Sequence, residues 1–415
     1  MRPTRLFYGW CVVAMAFLVA TFAWGFGFYG MPVFLHQLSV MRGWSVATVS
    51  GAITVHYLAG AATVIFLSDL HRRLGLAQVT AIGLVLAAVG YAGWVYAPVP
   101  QALYAAAVVS GSSWALTGVA GINAIVSPWF ERRRPMALSM AYNGASAGGI
   151  VIVPAWVALT ASVGFRDATV LVSSGTAICL AFVALVVLRP TPASRGVAPD
   201  GDPHPPVGPA VHMRAGNDAE PELLSRSVLL RDFGFLTISI AFAVGLTAQV
   251  GIVSHLITRL APSIGAQAAA LAISGIVVCA IIGRFLLAAL IGGRDRRHAA
   301  SANFLLQAAG TAFLAFGSDA PVAIALGCAC FGLGLGNLIS LPPLIAQSEF
   351  PRVSVGRVVG LITAINQGVY AFAPAIFGVL RELAGSYTLA FALAAALQVL
   401  AALIILLGTS ARRRI

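Results

Sequence analysis

The chain has 415 residues, of which 59% are hydrophobic and only 9% charged, and its formal net charge is +12. Soluble domains carry roughly 25% charged residues, so composition excludes a soluble enzyme or binding module and points to a membrane protein. The basic excess does not mark a nucleic-acid binder: all 25 basic residues are arginine, set in short clusters between apolar runs, with no basic domain and no aromatic-interleaved motif.

A helix needs about 20 apolar residues to cross the hydrocarbon core of a bilayer. Runs of that size are predicted at about 8–35, 46–67, 77–97, 101–126, 136–160 and 168–188. The first is too long for the apolar core of a signal peptide and reads as a retained span. It carries Tyr29. The second carries His56 and leads into "SDLHRRLG" (68–75), with Asp69 and Arg73. The fourth carries Asn123. "ERRRP" (131–135), with Arg132 and Arg133, leads into the fifth, where Tyr142 precedes the small-residue stretch "NGASAGG" (143–149) that begins with Asn143.

A stretch rich in proline, glycine and charge follows at 190–232. Such a composition cannot bury a core and reads as a flexible linker. Six more runs lie at about 233–258, with Gln249 and His255; 267–292, with Arg284; 299–317; 320–346, with Asn337; 356–380, with Gln367 and Tyr370; and 386–409. The expected fold is therefore an all-α membrane protein of twelve transmembrane helices in two pseudo-symmetric six-helix bundles. Their predicted bounds are 1–189 and 233–415, joined by the cytoplasmic linker 190–232.

Arginine placement orients the spans. One side holds Arg2, Arg5, Arg72, Arg73, Arg132, Arg133, Arg134, the linker arginines, Arg294, Arg296, Arg297, Arg352, Arg357 and the terminal "RRR". The other holds only Arg42, Arg166, Arg259 and Arg381. Both chain ends are thus expected in the cytoplasm. The halves also echo each other. "SDLHRRLG" answers "GGRDRRHA" (292–299), which contains Asp295; "NAIVSP" (123–128) answers "NLISLP" (337–342); and "NGASAGG" answers "NQGVYAFAP" (366–374). Three echoes in corresponding places suggest two parallel repeats with a site between them near the midplane.

"SPWFERRRPMALSMAYNGASAGGIVIVP" (127–154) resembles the fifth-span signature of the monocarboxylate porter and oxalate–formate antiporter branch of the major facilitator superfamily: an aromatic residue, a basic run, then a small-residue helix. "LFYGWCVVAMAFLVATFAWGFGFYG" (6–30) and "RGWSVATVSGA" (42–52) resemble the first span and the entry to the second in bacterial members. "GRFLLAALIGGRDRR" (283–297) resembles the eighth span with its buried arginine. The resemblance implies a secondary transporter in a bacterial inner membrane. Two departures stand out: Ala280 occupies a position where members often carry Asp, and Gln367 one where oxalate-type antiporters carry a lysine.

Arg284 lies within "CAIIGRFLLAAL" (279–290), with its nearest acidic residue at Asp295. It sits roughly 7 Å from the middle of its span at 1.5 Å per residue. A lone guanidinium at that depth either snorkels to the headgroups or grips a substrate carboxylate bidentately. The second reading, strengthened by the resemblance, makes Arg284 the candidate anion contact. Tyr29, Asn123, Tyr142, Asn143, Gln249, Asn337, Gln367 and Tyr370 are candidate hydrogen-bonding groups for the same substrate; the alternative for each is hydrogen bonding between helices. The acidic residues all lie at span ends, in loops or in the linker, so His56 and His255 are the candidates for any proton-linked step. Asp69, Arg73, Asp295, Arg132 and Arg133 are candidate gating residues at the cytoplasmic side. The expected partners are a small organic anion, the lipid bilayer and protons, with no cofactor, no metal, no nucleic acid and a monomeric state. The rival readings are efflux of an amphipathic compound, which wants a membrane-buried acid, and a non-transporting sensor. An enzyme is disfavoured because no nucleophile–base pair or metal motif is present.

Overall fold

The computed structural model describes residues 7–201, 224–291, 295–317 and 320–412. Arg2, Arg5, Arg294, most of the expected linker (202–223) and the last arginines lie outside the described residues. Twelve helices among those described are long and apolar enough to cross a membrane. They are α1 (Gly9–Arg42), α2 (Val46–Val64), α3 (Leu76–Tyr96), α4 (Pro100–Val126), α5 (Arg134–Val163), α6 (Phe165–Val187), α7 (Phe233–Ile264), α8 (Ala266–Ile291), α9 (Arg296–Phe316), α10 (Pro321–Glu349), α11 (Val355–Ala384) and α12 (Thr388–Thr409). No strand occurs among the described residues. In hydrocarbon every backbone polar group must be satisfied within the segment, and an apolar chain of this length does that as helices.

Local chemistry sets the helix ends. Asp232 and Asp295 cap α7 and α9, their Oδ1 atoms accepting from the Phe235 and Arg297 amides at 2.6 and 2.7 Å. Gly164 and Gly265 are the single residues between α5 and α6 and between α7 and α8, at φ +84° and +81°. A residue with a Cβ pays strain in that region, whereas glycine does not.

Four spans are not continuous. The helix of α1 stops at Gly27 and resumes at Met31; α4 breaks at Gly118, α10 at Gly336, and α11 between Tyr370 and Ala373. Packing divides the chain into two units, 1–30 with 59–220 and 31–58 with 221–415. The sequence alone suggested a boundary at the linker; the break in α1 is why 31–58 belongs with the C-terminal half. Beyond it the second part of α1 packs on α7. The start of α2 is tied to α11: the Ala47 amide donates to Glu382 Oε1 at 2.8 Å, and the Ala375 amide donates to Thr54 Oγ1 at 3.1 Å. Gly378 leaves the room for Ser50 at that contact.

In the first unit α1 packs against α5. A methyl group on Gly148 would lie 2.7 Å from the Gly25 nitrogen, and one on Gly144 would collide with the Phe17 carbonyl. "NGASAGG" is thus a close-approach surface. Trp94 and Trp156 are fully buried, their indole N–H groups donating to Ser110 Oγ and Thr169 Oγ1 at 3.0 Å each.

In the second unit α9 lies between α10 and α12. Phe235, Phe242, Phe304, Leu338, Leu341 and Ile345 form its core. One charge is buried there. Arg297 has no exposed surface, and all five of its guanidinium N–H bonds are used. Nε and Nη2 donate to the two Glu349 carboxylate oxygens at 2.8 Å each, Nη1 to Thr237 Oγ1 at 2.9 Å and to the Ile405 carbonyl at 3.0 Å, and Nη2 also to the Gly234 carbonyl at 3.0 Å. Gly408 makes the space: any Cβ there would overlap Arg297.

Candidate functional site

Arg284 is half-buried in α8. Glycines bring α10 onto this part of α8. A methyl group on Gly332 would stand 2.7 Å from the Ile276 carbonyl oxygen and 2.8 Å from Cys279 Cβ. One on Gly336 would stand 2.8 Å from the Ala280 carbonyl oxygen and 3.2 Å from Arg284 Cγ. Since α10 also breaks at Gly336, the aliphatic stem of Arg284 runs beside an interrupted helix.

Asn337 starts the second segment of α10. Its Nδ2 donates to Asn303 Oδ1 at 2.9 Å and to the Leu333 carbonyl at 3.2 Å, while Asn303 Nδ2 donates to the Gly334 carbonyl at 3.1 Å. Its Oδ1 is buried with no hydrogen-bond partner among the described residues. Asn123 in the first unit behaves alike. Its Nδ2 donates to the Val119 carbonyl, also four residues back, at 2.9 Å, and to the Tyr142 hydroxyl at 2.7 Å. That hydroxyl donates in turn to the Val119 carbonyl at 3.1 Å. The two echoed asparagines therefore do the same local work, satisfying backbone beside a broken span.

The remaining candidates of the first unit surround this pair in part. Trp24 lies 6.1 Å from the Tyr142 ring and 4.9 Å from Trp114, centroid to centroid. Tyr29 is buried at the break in α1, its amide bonded to the Trp24 carbonyl at 2.9 Å. Asn143 is exposed on α5. In the second unit Gln249 and Asn366 are buried, and Gln249 Oε1 and Asn366 Oδ1 have no hydrogen-bond partner among the described residues. Gln367 and Tyr370 are half-buried on α11. The Tyr370 ring meets Tyr57 edge-on at 6.0 Å, and the neighbouring His56, fully buried, lies 5.2 Å from the Tyr57 ring.

His255 is fully buried, and both ring nitrogens are engaged. Nε2 lies 2.9 Å from the Pro374 carbonyl and Nδ1 3.2 Å from the Tyr387 hydroxyl. A carbonyl only accepts, so Nε2 carries a proton; in the neutral ring Nδ1 then accepts from the tyrosine hydroxyl. This geometry suits a neutral imidazole that ties α7 to α11 and to the residue before α12.

The five gating candidates each make local contacts within their own unit. Asp69 pairs with Arg72, three residues along the same short helix (Leu67–Leu74), at 2.8 Å, with both side chains exposed. Arg73 is exposed on that helix. Asp295 spends one oxygen on its cap and holds the other 3.7 Å from His298 Nδ1. Near Asp295 the described residues also hold a buried ion pair, Arg297–Glu349, which the sequence did not single out. A signal for Arg297 was present: it continues the stripe Ala300, Phe304, Gln307 and Thr311, all without exposed surface, at heptad-like spacing. Arg132 and Arg133 lie on the turn into α5 with exposed side chains, and their amides donate to Asp200 at 2.8 and 3.1 Å. That carboxylate, in the stretch expected to be linker, had no sequence signal. Among the described residues no group of three or more His, Cys, Asp or Glu side chains is placed to hold a metal ion.

The family model described as Major Facilitator Superfamily matches residues 13–374. No protein of curated function matches the sequence. Among solved structures, the chain is similar to a point mutant of the nucleoside transporter NupG, with a TM-score of 0.73 at 11% identity over 96% of this chain and 99% of that one. It is likewise similar to NupG itself, with a TM-score of 0.71 at 14% identity over 97% and 99%. A third is a bacterial homologue of the human lysosomal transporter Spinster in an inward-facing, unoccupied conformation, with a TM-score of 0.65 at 12% identity over 99% and 96%. Twelve spans, broken helices and this match define a membrane transporter rather than an enzyme. The chain belongs to the major facilitator superfamily.

Proposed function

We propose that the chain carries a small organic anion, in the first place a monocarboxylate, across the membrane by alternating access, with Arg284 gripping the carboxylate. The observation that carries this reading is the position of Arg284: within an apolar span, its stem lies against Gly336, at the break of α10. Translocon scales charge about 2.5–3.5 kcal/mol for an arginine at the centre of a span. A bound anion would add a charge-assisted contact to the guanidinium, and a ligand drives a conformational cycle only through its differential affinity for the states. The resemblance of 127–154 and 283–297 to the monocarboxylate branch supports the same substrate class. We assign the neutral groups Asn337, Gln249, Gln367 and Tyr370 of the second unit, and Asn123, Tyr142, Asn143 and Tyr29 of the first, to the rest of the substrate and its surroundings. We read both chain ends as cytoplasmic on the arginine distribution, the membrane as a bacterial inner membrane on the resemblance, and His56 and His255 as the candidates for proton linkage.

The test is uptake of labelled lactate and pyruvate into proteoliposomes. Loss of a bidentate charge-assisted contact of about 3 kcal/mol corresponds to a roughly 100-fold loss of affinity, so Arg284→Gln is expected to abolish uptake at micromolar substrate, with Arg284→Lys retaining part. Unchanged uptake by folded Arg284→Gln overturns the assignment. A second reading, a neutral hydroxylated solute such as a nucleoside, is favoured by the open amide oxygens of Gln249 and Asn366 and by the fold shared with NupG. Thermal stabilisation by uridine, undiminished in Arg284→Gln, would select it.

A further inference from the structure

The stretch after α6 does not leave the first unit at once. It lies over a cluster of aromatic rings. Phe7 meets Trp129 and Phe130 at 6.0 and 5.5 Å, and Tyr8 meets Trp129 at 5.3 Å. Arg195 stacks its guanidinium 3.6 Å from the centre of the Tyr8 ring, while the Tyr8 hydroxyl donates to the Val187 carbonyl at 3.0 Å. Five residues on, the Asp200 amide donates to the Trp129 carbonyl at 2.9 Å. The Asp200 carboxylate enters the turn between α4 and α5. One oxygen accepts from the Glu131 and Arg132 amides at 3.2 and 2.8 Å, the other from the Arg133 amide at 3.1 Å, and Arg132 Nε stands 3.8 Å away. The Asp200 side chain is 2% exposed, against 70% for Arg132.

Three consecutive amides converging on one point form an anion-binding concavity, filled here by the chain's own carboxylate. Asp200 is also the one residue other than glycine at positive φ among those described, at +65°. Aspartate tolerates left-handed backbone as a single residue, and here three amide contacts to its carboxylate hold it in place. The docked conformation therefore depends on the carboxylate, and the turn it fills is the turn that begins α5, the helix carrying Tyr142.

We propose that residues 189–201 are a latch, docked by Asp200, that sets the turn 127–133 and the first turn of α5, so that the segment joining the two units is a controlling element for α5 and not a passive tether. Docked, the latch hides the aromatic cluster and orders the three amides; released, it frees both together. Asp200 is thus a positioning residue, acting through the turn.

The experiment compares purified full-length wild type, Asp200→Gly and Asp200→Asn in detergent by amide hydrogen exchange and by trypsin cleavage after Arg195. Glycine accepts positive φ and removes only the carboxylate; asparagine keeps one acceptor oxygen. Exchange at residues 131–133 and in the first turn of α5, and cleavage after Arg195, are each expected to rise at least tenfold in Asp200→Gly and by less in Asp200→Asn, with α3 unchanged. Unaltered exchange and cleavage in Asp200→Gly would overturn the proposal. So would acceleration spread evenly through the first unit, which would mark general destabilisation instead of a latch. Should Asp200→Gly not be recovered folded, the asparagine variant decides on the same readouts, a rise confined to these segments supporting the latch and no rise refuting it.

Discussion

Replacing Glu349 by leucine tests the energetics of the second unit. The variant removes two charge-assisted hydrogen bonds of 2.8 Å each from a guanidinium with no exposed surface, opposite a carboxylate side chain 8% exposed. At about 1.5–3 kcal/mol for each bond to a charged group, the loss is ~3–6 kcal/mol. An independent figure, about 3–5 kcal/mol for stranding one member of a buried pair, agrees. At about 2–4 °C per kcal/mol for a unit of this size, Glu349→Leu should melt roughly 6–24 °C below wild type, measured by the loss of helical circular dichroism in detergent. The control is Asp69→Asn, which breaks a pair whose side chains are 55% and 74% exposed. Exposed pairs contribute about 0–1 kcal/mol, so its melting point should barely move. The double variant Arg297→Met/Glu349→Leu should recover most of the loss, because the cost lies in the stranded charge. Glu349→Leu as stable as wild type, or a double variant no better than the single, would refute the reasoning.

Acid should release the Asp200 latch. Burial pushes the Asp200 carboxyl up, but the amides of Arg132, Arg133 and Glu131 and the charge of Arg132 outweigh it and hold the group below its ordinary value. A depressed folded value means the stabilisation is fully present above the unfolded carboxyl's pKa, about 3.9, and fades as pH falls through the folded one. Protection of the 131–133 amides, corrected for intrinsic exchange, should therefore hold from neutral pH to about 5 and fail only in stronger acid, while Asp200→Asn shows no such acid step. For the α8–α10 contact, Gly332→Val must push a side chain against the Ile276 carbonyl and Cys279. Overpacking of this kind costs about 1–3 kcal/mol, and the carboxylate binding proposed for Arg284 should weaken with it; a variant with unchanged melting point and unchanged binding would contradict the packing role given to the glycine.

How far the site could be read in advance differs residue by residue. Arg284 was conspicuous because one charge in an otherwise apolar stretch of twelve residues violates the local pattern. The asparagines 123 and 337 were conspicuous because they recur, yet their work is narrower than expected: each spends its amide nitrogen on a carbonyl four residues back. Asp295, expected at the gate, also caps a helix, and the buried pair beside it joins Arg297 to Glu349, 52 residues apart. No spacing rule reports such a partner, because the two helices meet only after packing.

What the sequence by itself determined is the run of twelve apolar helices, since unbroken apolar runs of about 20 residues fit spanning helices and lack the alternation of barrel strands. The small-residue stretches that let helices touch, and the lone arginine, were equally legible as local violations of an average span. What only the tertiary structure decided is which partners meet. It assigned 31–58 to the second unit, through a break in α1, and placed Asp200 against amides nearly 70 residues away. Such contacts depend on where helices cross in space, and neither periodicity nor composition carries that information along a single chain.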